Sequence, residues 1–176
     1  MKSLAYIVSF VFSVSFLAFV SCSSSEKPSN DKRFVKACTL LSAEDVKSIV
    51  GLEIASPEAK ELKSPSGEVA NSMCQFNSVS ETESLSLNLM VSSNPSQLSP
   101  AEAVVKRFKD LGTSLGNEVK YELLPEVGPG AAFSADTSQV MVFTGKYIVI
   151  LTLFQKEKAK LKQNLVAVTQ KVMAKM

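Results

Sequence analysis

Ser84-Leu85-Ser86-Leu87-Asn88-Leu89-Met90-Val91-Ser92 places Leu85, Leu87, Leu89 and Val91 at odd positions and its serines at even ones. A period of two belongs to a β-strand, whose successive side chains point to opposite faces. The odd face therefore meets a core and the serines meet water. A strand wetted on one side points to an antiparallel sheet, because parallel strands are covered on both sides. Residues 139–143 and 147–154 flank Thr144-Gly145-Lys146 and read as a hairpin within that sheet. The second of these, Tyr147-Ile148-Val149-Ile150-Leu151-Thr152-Leu153-Phe154, is apolar on both faces and so belongs near the middle. Met73-Cys74-Gln75-Phe76 supplies a further strand.

The helices are marked by their caps. In Leu41-Ser42-Ala43-Glu44-Asp45-Val46, Ser42 can cap a helix and Asp45 sits where an acid faces the positive helix end. Leu41 and Val46 fit a hydrophobic staple, Val46, Ile49 and Val50 share an apolar face, and Gly51 ends the helix. Leu98-Ser99-Pro100-Ala101-Glu102 repeats this grammar as a capping box with proline at the first helical position. Val104, Val105, Phe108 and Leu111 form the expected buried stripe of this second helix, and Gly112 its stop. A closing helix over residues 157–174 sets Leu161, Leu165, Val168 and Val172 at core spacing, with Lys158, Lys160, Lys162, Lys171 and Lys175 outside. A basic amphipathic helix can rest on an anionic membrane, but a solvated lysine face on a helix packed against a sheet is the expectation here. The two matching helix starts suggest a helix-and-strand unit used twice.

These elements predict an α+β fold: an antiparallel sheet of about four to six strands, helices packed on one face, the other face partly open. Residues 53–72 are polar, hold Pro57, Pro65 and Gly67, and read as a long exposed loop with room for a short edge strand. Pro125-Glu126-Val127-Gly128-Pro129-Gly130-Ala131-Ala132-Phe133 reads as a turn feeding a short strand. A phosphate loop is a poor alternative for it. The Gly-x-x-x-x-Gly-Lys pattern is missing, and Pro129 removes an amide donor that such a loop would use.

The N-terminus has the order of an export signal: Lys2, an apolar run over residues 4–20, then small polar residues and a cysteine. Phe19-Val20-Ser21-Cys22 resembles the lipobox of bacterial lipoproteins, with Phe19 in place of the usual leucine. The resemblance implies that the Cys22 thiol is diacylated, with palmitate-like chains, and that the chain is cut before it. An uncleaved anchor is the alternative, since the run would span about 25 Å as a helix, and so is ordinary signal removal. Two or three acyl chains would hold a protein on a bilayer firmly. Residues 1–21 are thus expected to be a lipoprotein signal peptide and 22–36 a flexible, serine-rich tether. Residues 37–176 are expected to form a single domain.

Three cysteines leave one unpaired in an oxidising compartment. Lipidation of Cys22 removes the odd one and leaves Cys38 and Cys74 to pair, closing a loop that stabilises the fold by about 3–4 kcal/mol. A redox pair wants its cysteines a few residues apart. A zinc site wants more ligands, and the chain has no histidine. The formal charge of +2 falls by one with Lys2, so neither nucleic acid nor a strongly acidic partner is implied. No nucleophile motif, metal cluster or cofactor signature is present, and a non-enzymatic role follows as the expectation.

Taken together, Cys22 in its lipobox, Ala37-Cys38-Thr39-Leu40-Leu41-Ser42-Ala43-Glu44-Asp45-Val46 ending in Gly51, Met73-Cys74-Gln75-Phe76, Pro125-Glu126-Val127-Gly128 and Ala132-Phe133 carry a resemblance. With the terminal strand pair and helix, the chain is similar to small two-cysteine bacterial lipoproteins grouped as a family of unknown function. The resemblance covers most of residues 37–176. It implies a disulfide between Cys38 and Cys74 and an envelope location, and it brings no established activity or catalytic residue.

The function expected from these readings is that of a lipid-anchored envelope protein. It would bind another envelope or extracellular protein through its exposed sheet face or residues 53–72. A small-molecule or lipid carrier, with an apolar cavity between sheet and helices, is the alternative. By the sorting pattern of the lipoproteins it resembles, Ser23 after the lipid cysteine, rather than aspartate, would favour the outer membrane where a cell has two.

Overall fold

The computed structural model describes residues 34–176 except Glu68 and Glu81, so the expected signal peptide, Cys22 and most of the tether lie outside the described residues. Within them the chain forms one antiparallel sheet of seven strands in the order β1-β2-β3-β7-β6-β5-β4. The strands are β1 (Glu58–Lys63), β2 (Val69–Asn77), β3 (Leu85–Ser93), β4 (Glu122–Leu123), β5 (Ala131–Ser134), β6 (Gln139–Phe143) and β7 (Tyr147–Gln155). Two meanders, β1-β2-β3 and β4-β5-β6-β7, join where β3 pairs with β7, from Leu85 opposite Gln155 to Ser93 opposite Tyr147. The strip Leu85, Leu87, Leu89 and Val91 is buried as its alternation requires, and β7 takes the central place. The sheet exceeds the expected four to six strands because both edges carry almost no apolar signal. β1 is Glu-Ala-Lys-Glu-Leu-Lys and β4 is two residues long.

One face packs under α1 (Ala37–Leu40), α2 (Ala43–Val50) and α4 (Leu161–Met173), which share a core with Phe76, Leu87, Leu89, Val140, Leu151 and Leu153. The opposite face holds a smaller core in which α3 (Pro100–Leu115) covers Ala132, Met141 and Phe143. Helices thus lie on both faces, not on one as expected. The reason is visible in β5 and β6, whose residues are buried on both sides apart from half-buried Gln139 and need a second cover. A duplicated unit is also unsupported. The two-fold axis through the β3–β7 pair would keep α2 and α3 on the same face, whereas they take opposite ones.

The cap signals place the helix starts correctly. Ser42 and Asp45 form a reciprocal capping box on α2, as Ser99 and Glu102 do on α3. The second helix, however, runs through Gly112 and stops at Gly116, which takes the left-handed conformation with φ 71°. Gly112 serves a different need. A Cβ there would meet the Asn117 carbonyl oxygen at 2.8 Å, so the missing side chain lets the returning chain pass. Of the expected stripe, Val104 and Phe108 are buried and Leu111 half-buried, while Val105 is exposed and Ala103 takes a buried place beside them.

α4 begins after a 3-10 turn at Lys158–Lys160, and its apolar side, Leu161, Leu165, Val168 and Val172, is in the core. Its lysines reach acids on other elements: Lys162 pairs with Glu122 at 2.7 Å, and Lys171 and Lys175 with Asp45 at 3.0 and 3.1 Å. Asp45 therefore caps α2 and ties its start to the end of α4. Lys171 and Lys175 hold the Asp45 carboxyl well below the usual carboxylate range, with Ser42 adding to the effect. A depressed folded-state pKa contributes stability above the unfolded carboxylate pKa of about 4, and that contribution is lost as pH falls below it. Because both lysines are about half exposed, solvent screening keeps the ion pairs weak. Asp45→Asn is expected to lower unfolding free energy by about 1–2 kcal/mol at neutral pH. Urea titrations of both chains from pH 7 to 3 should show the difference shrinking at the acid end.

Candidate functional site

The half of the sheet that α3 leaves uncovered is the most distinctive surface of the described residues. Strand register lines up Met73 of β2, Met90 of β3, Ile150 of β7 and Met141 of β6 in one row across four strands. Met141 is buried under α3, whereas Met73, Met90 and Ile150 are only half-buried. Beside this row runs a polar one, Gln75, Asn88 and Thr152, and beyond it Phe154 stands 57% exposed. An apolar stripe that begins in a core and continues half-buried beyond the covering helix is a candidate docking surface.

Where the stripe meets α3 there is an open groove of about 420 Å³. Met90, Ile148, Ile150 and Phe143 form its floor, Lys106, Arg107 and Asp110 its helical wall, and Leu98 its lip. Lys106 is engaged by Asp110 at 2.6 Å, while Arg107 has no ion-pair partner among the described residues. Asn94 fixes the end of the groove, with its Nδ2 donating to the Thr144 carbonyl and its backbone N–H to the Lys146 carbonyl, both at 2.8 Å. The groove thus offers apolar floor, a free guanidinium and a rigid end.

Residues 53–72, read from the sequence as a long loop, contain β1 and the start of β2 instead. The short edge strand for which there was room is therefore present. β1 pairs with β2 from Glu58 opposite Gln75 to Lys63 opposite Val69 and is exposed along its whole length. Its Lys and Glu residues suit an edge that must not recruit other strands. Lys36, ahead of α1, reaches Glu61 at 3.0 Å and ties the strand to the helical side.

Of the residues singled out in the sequence, Cys38 and Cys74 are bonded, with Cα atoms 5.0 Å apart, and join α1 to β2 inside the main core. Cys22 lies outside the described residues. Among those described, no three His, Cys, Asp or Glu side chains are grouped to hold a metal ion, and no helix is long and apolar enough to cross a membrane. Comparisons with family models, curated proteins and solved structures return no match. The groove residues carry little signal in the sequence. Met90 breaks the serine and asparagine series on the wet face of β3, and that single apolar exception was the available signal.

Gly130 lets the start of α3 pack closely against β6. It lies between β6 and the first turn of α3, where a Cβ would strike the Phe143 carbonyl oxygen and sit 2.6 Å from Pro100 Cβ. The Phe143 N–H also donates to the Gly130 carbonyl at 2.8 Å, so the backbone there has no room to shift. Gly130→Ala is therefore expected to cost about 1–3 kcal/mol of stability by forced displacement of the α3 start. Chemical denaturation measures it, and an unchanged midpoint would contradict the close packing.

Proposed function

We propose that this chain is a non-enzymatic, lipid-anchored protein of the cell envelope. Its open sheet face would bind an extended apolar segment of another envelope or extracellular protein. The observation that carries the reading is the half-covered apolar row Met73, Met90 and Ile150, which leads into the groove beside α3. Methionine adapts its shape and suits a surface that must accept a partner's side chains. The unpaired Arg107 on the groove wall would meet an acidic group at one end of the segment. The apolar leader and Cys22 support attachment by acyl chains, with the outer membrane favoured in a cell that has two, and the Cys38–Cys74 bond supports an oxidising compartment. Kinship with the two-cysteine lipoproteins is part of the same proposal.

The test is site-specific photo-crosslinking in the native cells, with benzoyl-phenylalanine placed at Ser92 or Asn88 on the open face and at Gln170 on α4. A recurrent adduct is expected from the open-face positions and not from Gln170. Its yield should fall about tenfold or more when Met90→Asp or Arg107→Glu is added. Adducts of equal yield from Gln170, or insensitive to both substitutions, would overturn the docking face. Mass spectra of the same samples report acylation at Cys22, and an unmodified thiol would overturn the anchor.

A further inference from the structure

A second concavity lies on the opposite face, where β3 begins and β7 ends, beside the residues that follow α2. This cleft of about 370 Å³ is walled by Val50, Leu52 and Leu85, with Asn164 of α4 on its inner side and Glu83 and Lys156 among its charged residues. The volume is in the range that takes a small molecule. Asn164 is only 8% exposed. Its Nδ2 donates to Gln155 Oε1 at 3.0 Å, while its Oδ1 receives no hydrogen bond from the described residues. Asn164 lines the cleft, and its oxygen is not among the fully buried side-chain polar atoms without a partner, which are those of Ser134 and Thr137. An amide this enclosed with an idle acceptor is a fixed hydrogen-bonding point for something that enters.

The charges at the cleft narrow what that is. Lys160 and Glu157 neutralise one another at 3.1 Å. Lys156 and Glu83 have no ion-pair partner among the described residues, which leaves one cation and one anion available. A simple anion would face Glu83 and a simple cation Lys156, each at a cost. We infer that the cleft binds a small zwitterion with an apolar side chain, an apolar α-amino acid or short peptide. The ammonium group is directed to Glu83 and the Asn164 oxygen, the carboxylate to Lys156, and the side chain to Val50, Leu52 and Leu85. This site is independent of the docking face across the sheet.

The full chain in lipid nanodiscs would be titrated, by ligand-observed saturation-transfer NMR, with L-leucine, Leu-Leu, N-acetyl-L-leucine and L-leucinamide. At least one of the two zwitterions should bind with a dissociation constant of about 1 mM or below. Both singly charged compounds should bind about threefold or more weakly. Lys156→Gln should abolish the preference over leucinamide, which lacks the carboxylate. Glu83→Gln should abolish the preference over N-acetyl-leucine, which lacks the ammonium group. Both side chains lie at the surface, so the variants fold, and Met90→Asp on the other face should leave all four affinities unchanged. No saturation by either zwitterion up to about 20 mM, or unchanged preferences in both charge variants, would overturn the inference.

Discussion

The pairing of β3 with β7 is the constraint on which the rest of the molecule depends. It joins the two meanders into one sheet, and it does so with matching parity. Leu85, Leu87, Leu89 and Val91 lie on the same side as Leu153, Leu151 and Val149. A slip of one residue would turn one of these series into water and dismantle the surface on which α1, α2 and α4 rest. The Cys38–Cys74 bond and the Asp45 ion pairs act on that same side. They hold the short N-terminal helices against β2 and the end of α4.

The two halves of the sheet differ in what they need from the other face. β5 and β6 are apolar on both sides and are closed by α3, whereas β2 and β3 alternate and leave their second side to polar residues. β7 lies between them and belongs to both regimes, with Ile148 and Ile150 half under the helix and Phe154 out in solvent. The groove beside α3 is the seam between the two regimes. Its apolar floor arises because Met90 interrupts the polar series of β3 beside Ile148 and Ile150 of β7, which α3 covers only in part.

Much of this fold was legible in local patterns. Alternation marks β3, the two-sided apolar run marks β7 as central, and side-chain capping marks the starts of α2 and α3, because each depends on neighbours within a few residues. What depends on distant neighbours was not legible. Gly112 reads as a helix stop but is a contact with the Asn117 carbonyl, and no local pattern separates the two. Nor does an amphipathic stripe say which face of a sheet it will cover, so the placement of α3 opposite α2 had to come from the structure. β1 escaped definition because its residues are charged and its order comes from pairing with β2. The candidate site shared this fate. Cys38 and Cys74 could be paired by counting, while the groove depends on register across three strands.

Methionine oxidation footprinting tests the central claim, that the uncovered half-face is open in the isolated protein and occupied in the cell. In the purified chain, hydroxyl radicals should oxidise Met73 and Met90 readily while Met141 under α3 is spared. In intact cells Met73 and Met90 should become protected, with the solvent-exposed C-terminal Met176 serving as the unprotected reference. Equal oxidation of Met73 and Met90 in both settings, relative to Met176, would contradict a partner seated on this face.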